Sequence, residues 1–163
     1  VRLKNKTAYF EGAGDAVWHP GKRLIWGGYG FRSDQEDYAG VAEAFDAPVM
    51  LLKLVNERFY HLDTCFCPLS SEAVLIYPSA FDPESLGLIL KLFPIVLVAD
   101  EFEAGRQMAC NAVVLDAKTA VLHKGAAGAI RHMAAIGLTA VEVDTSEFIK
   151  SGGSVYCMKM FFY

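Results

Sequence analysis

Four side chains of types suited to nucleophilic catalysis sit in recognisable local settings. Cys157 closes the segment Ser151-Gly152-Gly153-Ser154-Val155-Tyr156-Cys157. His61 and Asp63 share His61-Leu62-Asp63-Thr64, and Glu11 lies in Phe10-Glu11-Gly12-Ala13-Gly14-Asp15. A thiol, an imidazole and carboxylates together can supply a nucleophile, a proton carrier and groups that orient both. The other cysteines invite a blander reading. Cys65 and Cys67 flank Phe66 without a second pair or nearby histidines, so a metal site lacks its ligands and no metal is expected; Cys110 also reads as core. His19, His123 and His132 fall in turn, strand-end and helix contexts that suit structural or surface roles. The run Gly27-Gly28-Tyr29-Gly30 lacks the Lys-Ser/Thr of a phosphate loop, and no cofactor is expected. Asp15 reads as a residue that pins its own turn, and Asn111 as one that bonds backbone near the centre.

These residues must be positioned by the elements around them, and hydrophobic periodicity repeats the same order three times. The first round predicts strands over 8–10 and 24–26, a helix from an N-cap at Ser33 to about Phe45, and a strand over 49–55. The second predicts strands over 59–66 and 73–77, a helix after Asp82-Pro83 to Phe93, and a strand over 95–99. The third predicts strands over 112–115 and 120–123, a helix over 126–136 stopped by Gly137, and a strand over 139–143. A final strand is expected over 154–163. The repeats run about 7–56, 57–105 and 106–150. Glu11 to His61 is 50 residues, His61 to Asn111 is 50, and Asn111 to Cys157 is 46, which predicts that one polar residue per unit meets the others at a common axis. Asp63, two residues beyond His61, is expected on the same strand face.

Composition bounds the reading. The chain of 163 residues is 53% hydrophobic and 21% charged, as befits a packed globular domain. A net charge of −4 without a basic block gives no footprint for nucleic acid, and no apolar run is long enough to span a membrane. Four cysteines do not make a disulfide scaffold, so a cytoplasmic setting is expected.

The four segments containing Glu11, Gly30-Phe31-Arg32-Ser33, His61 and Cys157, in that order, resemble the guanidino-group-modifying superfamily with the pentein fold. This group comprises arginine and agmatine deiminases, dimethylarginine dimethylaminohydrolases and amidinotransferases. The resemblance implies an α/β propeller of five ββαβ units, of which this chain holds about three and a half. It also implies that an amino-terminal acidic residue of the family has no equivalent here, to be supplied by missing amino-terminal units or by a second chain, as in a homo-oligomer. The implied roles are Cys157 as nucleophile, His61 as acid and base, and Glu11 as its orienting partner. Asp63 and the backbone at Gly153 would hold the guanidinium, and Arg32 would pair with a substrate α-carboxylate. The activity implied is hydrolysis of an arginine-like or methylated guanidino compound through a covalent thiouronium. Amidino transfer to an amine, or a non-catalytic interaction module, are the alternatives. Asp63 after His61-Leu62 leans toward the deiminase and amidinotransferase pattern.

Overall fold

The computed structural model describes residues 9–116 and 118–160. Three small sheets follow one another, each with strands in sequence order. In the first, β1 (Ala16–Trp18) runs antiparallel to β2 (Ile25–Tyr29), which pairs in parallel with β3 (Val49–Lys53) after helix α1 (Tyr38–Phe45). The second repeats the plan with β4 (Phe66–Pro68), β5 (Ala73–Ile76), helix α2 (Pro83–Leu92) and β6 (Ile95–Val98). A short helix, α3 (Glu101–Arg106), leads into the third: β7 (Val113–Val114), β8 (Thr119–His123), helix α4 (Ala127–Ala135) and β9 (Thr139–Val143). Helices α5 (Ser146–Ile149) and α6 (Val155–Met158) follow.

Local chemistry explains the boundaries. Asp82 accepts a hydrogen bond from Ser85 N at 2.8 Å, and Pro83 opens α2 where no donor is needed. Gly137, at φ +84°, ends α4 in the left-handed conformation. The middle strand of each sheet is covered on both sides and carries the core: Trp26, Val74, Leu75, Ile76, Ala120 and Leu122 are all fully buried. Trp26 stacks on Phe93, and its indole N–H donates to His19 Nδ1 at 3.1 Å. That leaves His19 Nε2 to donate to the Ser71 carbonyl, so His19 is a satisfied core residue. His123 is likewise buried, accepting from Thr145 N.

Several sequence expectations are corrected. Tyr9 and Phe10 form no strand, and Ala8 lies outside the described residues; the first strand begins only after the glycine turn, at Ala16. Ser33 does not cap α1. It donates to Asp15 Oδ2 and accepts from Glu11 N, and α1 starts later, beyond a turn at Gln35–Asp37. The strand expected over 59–66 is a tight turn at Leu62–Thr64, with β4 beginning at Phe66. Thr64 Oγ1 donates back to the His61 carbonyl and Cys65 N to the Leu62 carbonyl, bending the chain where apolar content alone read as extended. The final strand over 154–163 is replaced at Val155–Met158 by a helical turn, and 161–163 lie outside the described residues. The amides of Ser154 and Cys157 converge on one oxygen, Asn111 Oδ1. Residues three apart share a side in a helical turn and oppose each other in a strand.

Candidate active site

Turns, rather than strands, carry the chemistry. Each first strand is preceded by an i→i+3 backbone bond: Asp15 N to Gly12 O, Cys65 N to Leu62 O, and Asn111 N to Met108 O. By this register Asn111 corresponds to Cys65 and Asp15, not to His61. The equal spacing of Glu11, His61 and Asn111 therefore reflects the repeat for the first pair only, because the third unit reaches its turn sooner.

Glu11, His61, Asp63 and Cys157 line one cavity of about 440 Å³, together with Gly14, Tyr156 and Lys159. His61 Nε2 lies 2.6 Å from Glu11 Oε2. That hydrogen bond, with the charges of His61 and Arg32, holds the Glu11 carboxyl below its ordinary range. The ring rests against Gly14, where a Cβ would fall 2.9 Å from Nδ1, so only glycine fits. Asp63 does not share a strand face with His61. It sits inside the Leu62–Thr64 turn, buried, and its Oδ2 accepts from the Cys157 thiol at 3.4 Å. Burial pushes the Asp63 carboxyl up to about 6. Burial and the Asp63 charge together raise the Cys157 thiol, while a hydrogen bond from Asn111 lowers it. The net effect on the Cys157 thiol is upward. Lys159 lines the same cavity, and burial draws its ammonium down to about 8.

Arg32 stands beside the cavity, mostly exposed, 3.4 Å from Glu11 Oε1 and over the ring of Tyr60. Tyr60 donates through its hydroxyl to the Gly152 carbonyl at 2.6 Å, tying the glycine segment to the residues just before His61. Gly153 packs against Cys157: a Cβ there would fall 3.0 Å from Cys157 Cβ. Cys157 is the one cysteine of the four with exposed surface, its sulfur part-buried, whereas Cys65, Cys67 and Cys110 are buried, with thiols raised by desolvation. No cluster of potential metal ligands occurs among the described residues. Gly14, Tyr60 and Lys159 escaped the sequence reading; the glycine in Glu11-Gly12-Ala13-Gly14 was the one visible signal, since a second glycine beyond the turn's first suggests close approach.

No family model matches the chain. It is 38% identical over 156 residues to the bifunctional arginine dihydrolase/ornithine cyclodeaminase AgrE of Nostoc sp., covering 95% of this chain and 22% of AgrE. It is 41% identical over 150 residues to the N(G),N(G)-dimethylarginine dimethylaminohydrolase of Mycobacterium tuberculosis, covering 90% of this chain and 47% of that enzyme. The structure superposes on the product-bound N-terminal domain of ArgZ, a cyanobacterial arginine dihydrolase, with a TM-score of 0.89 and 38% identity, covering 94% of this chain and 56% of the other. The fold also matches SxtG, an amidinotransferase from Microseira wollei, with a TM-score of 0.74 at 20% identity, a likeness of fold alone. The chain spans at most about half the length of the curated relatives named here. The architecture is that of the pentein propeller, in part. This chain belongs to the guanidino-group-modifying superfamily, and its relatives include hydrolases of guanidino compounds.

Proposed function

We propose that this chain supplies the catalytic centre of a hydrolase that cleaves a C–N bond of an arginine-like guanidino compound through Cys157. One observation carries the reading. Asp63 is a buried carboxylate with one oxygen on the Cys157 thiol and the other, Oδ1, without a hydrogen-bond partner among the described residues. A buried orphan of this kind is costly unless a ligand satisfies it. A guanidinium N–H fits, and its binding there sets the electrophilic carbon beside sulfur.

The same geometry supplies an order of events. Without substrate, burial keeps the Cys157 proton in place, shared toward Asp63. An arriving guanidinium favours the carboxylate and thiolate together, and the thiol proton passes to His61, held by Glu11. The thiolate attacks the guanidinium carbon, and His61 returns the proton to the departing nitrogen as the C–N bond breaks. A thiouronium and ammonia, or an amine, result. His61 then takes a proton from water as the oxygen adds to that carbon. The C–S bond breaks, the adduct's hydroxyl proton leaves to solvent as the neutral ureido product departs, and His61 returns its proton to the sulfur, restoring the resting thiol. Arg32, beside the mouth, pairs with a substrate α-carboxylate, and the backbone at Gly153 lets the planar cation lie close to the sulfur.

The test is turnover of arginine, agmatine and dimethylarginine by the full-length polypeptide, or by this chain combined with any chain that supplies the remaining units. Ureido product is read together with ammonia or dimethylamine. The expected outcome is turnover of at least one compound, abolished by Cys157→Ser. Failure with every guanidino compound, in a folded protein, would overturn the proposal.

A further inference from the structure

Asn111 is fully buried, and every polar atom of its side chain is engaged near the nucleophile. Its Oδ1 accepts from Ser154 N at 3.0 Å and from Cys157 N at 3.3 Å. Its Nδ2 donates to the Asp63 carbonyl at 3.1 Å and to Cys157 Sγ at 3.2 Å. Its backbone carbonyl takes a further bond from Tyr156 N at 3.0 Å. The orientation of the amide is fixed by its partners. Two backbone N–H groups can only donate and a carbonyl can only accept, so oxygen must face the 154–157 turn and nitrogen must face Asp63 and sulfur.

We propose that Asn111 is a positioning residue for the nucleophile, holding the 154–157 turn through its amide oxygen and steering Cys157 Sγ toward Asp63 through its amide nitrogen. Two features make a neutral amide the group required here. A carboxylate would satisfy the two backbone amides equally well, but it would offer no hydrogen to sulfur and would oppose a developing thiolate at contact distance. An aliphatic residue of similar size would leave two amides and the Asp63 carbonyl unpaired in a dry site. Only a group with an acceptor on one side and a donor on the other satisfies the nucleophile's backbone and its sulfur together. The same nitrogen also ties the two halves of the site, because the Asp63 carbonyl and the Cys157 sulfur share one donor group.

This inference rests on Cys157 being the nucleophile of the proposed reaction, but its test does not depend on the substrate. Asn111→Asp in the full-length polypeptide keeps the acceptor for both amides and removes the donor to sulfur. The rate of iodoacetamide labelling of Cys157 is followed against pH by mass spectrometry, beside the kcat and KM of whichever guanidino compound is turned over. The midpoint of labelling is expected to move up by about one unit or more, a roughly tenfold slower reaction at neutral pH. A fall in kcat larger than any rise in KM should accompany it. Asn111→Ser, uncharged and smaller, is the second variant should the buried carboxylate prevent folding. It also lacks a donor that reaches sulfur, and the same upward shift is expected. A folded variant with an unmoved labelling midpoint would overturn the proposal. If no guanidino compound is turned over while the midpoint still shifts, the reading of the reaction fails and the role of Asn111 stands.

Discussion

Asp15 and Asn111 hold the same place in the first and third units, each closing the turn that precedes the unit's first strand. Both are buried, and both reach forward to the turn of another unit. Asp15 Oδ1 accepts from Leu62 N at 2.9 Å, fixing the turn that carries His61. Asn111 Oδ1 accepts from Ser154 N and Cys157 N, fixing the turn that carries the thiol. The second unit has Cys65 in this place, and its thiol reaches only the carbonyls of its own turn. No candidate catalytic side chain sits on the turn ahead of it. The difference between the two polar residues follows the charge each one faces. Asp15 stands on the side of the imidazole, whereas a carboxylate in the place of Asn111 would touch sulfur and oppose a thiolate. One repeated position thus serves one mechanical task with two electrostatic settings.

The comparison is broken most severely by deleting the first of the two. Asp15→Ala orphans the buried Leu62 N–H and removes the acceptor of Ser33 Oγ, which donates to Asp15 Oδ2 at 2.7 Å. At about 1–3 kcal/mol for each unsatisfied group, the loss should be on the order of 4 kcal/mol in urea unfolding of the full-length polypeptide. Activity should fall more than tenfold in whatever protein remains folded, because the His61 turn loses its anchor. Asp15→Asn, which keeps an acceptor for Leu62 N, should cost less than about 1 kcal/mol. Equal losses for the two variants would show that the charge of Asp15, rather than its hydrogen bond, holds the turn.

Much of this organisation was legible in the sequence, though not all for the reasons first given. The three ββαβ rounds followed from apolar periodicity and strong punctuation at Asp82-Pro83 and Gly137. Glu11, His61, Asp63 and Cys157 meet at one cavity, as their segments suggested. What failed was placement by strand pattern. The 59–66 run is apolar enough for a strand, yet Asp63 and Thr64 bend it through bonds no periodicity shows. The last segment is helical because a residue 46 positions earlier gathers two of its amides. Asp15 read as a pin for its own turn, but its longest reach is to Leu62, in the next unit. Partners so distant in sequence leave no local signal.

A second prediction tests where negative charge is tolerated between these two turns. Burial places the Asp63 carboxyl at about 6, above the 3.8 of an exposed aspartate. A carboxyl raised on folding contributes stability below the unfolded value, and that contribution is lost as pH rises through the folded value. Asp63 therefore costs little near pH 4, progressively more between about pH 4 and pH 6, and a constant amount above that. Asp63→Asn should leave stability nearly unchanged at pH 4 and raise it above pH 7, by up to roughly 3 kcal/mol at 1.36 kcal/mol per unit. Guanidino hydrolysis should be lost in the same variant. Urea unfolding of both proteins from pH 4 to pH 8 decides, and parallel curves would remove Asp63 as the site of stored charge.

The smallest effect concerns how the two turns begin. Gly12 opens the Asp15 turn at φ +69°, and Met108 opens the Asn111 turn at φ +46°, both left-handed. A side chain is therefore carried at this position in one unit and avoided in the other. A Cβ added at Gly12 would meet nothing within 4 Å, so Gly12→Ala introduces no clash and costs only the left-handed backbone. That penalty is about 1–2 kcal/mol for an L-residue. Met108 carries the same penalty and offsets it by burying its side chain to 8% exposure, an option that the open space at Gly12 withholds. Gly12→Ala should thus destabilise by about 1 kcal/mol with kcat and KM within twofold of the parent, since Glu11 and Asp15 keep their partners. Met108→Gly should relieve its backbone yet still lose stability, because burial of a methionine side chain outweighs the relief. A large loss of activity in Gly12→Ala would mean that the turn sets the geometry of Glu11 and His61 more tightly than the Asp15 hydrogen bonds do.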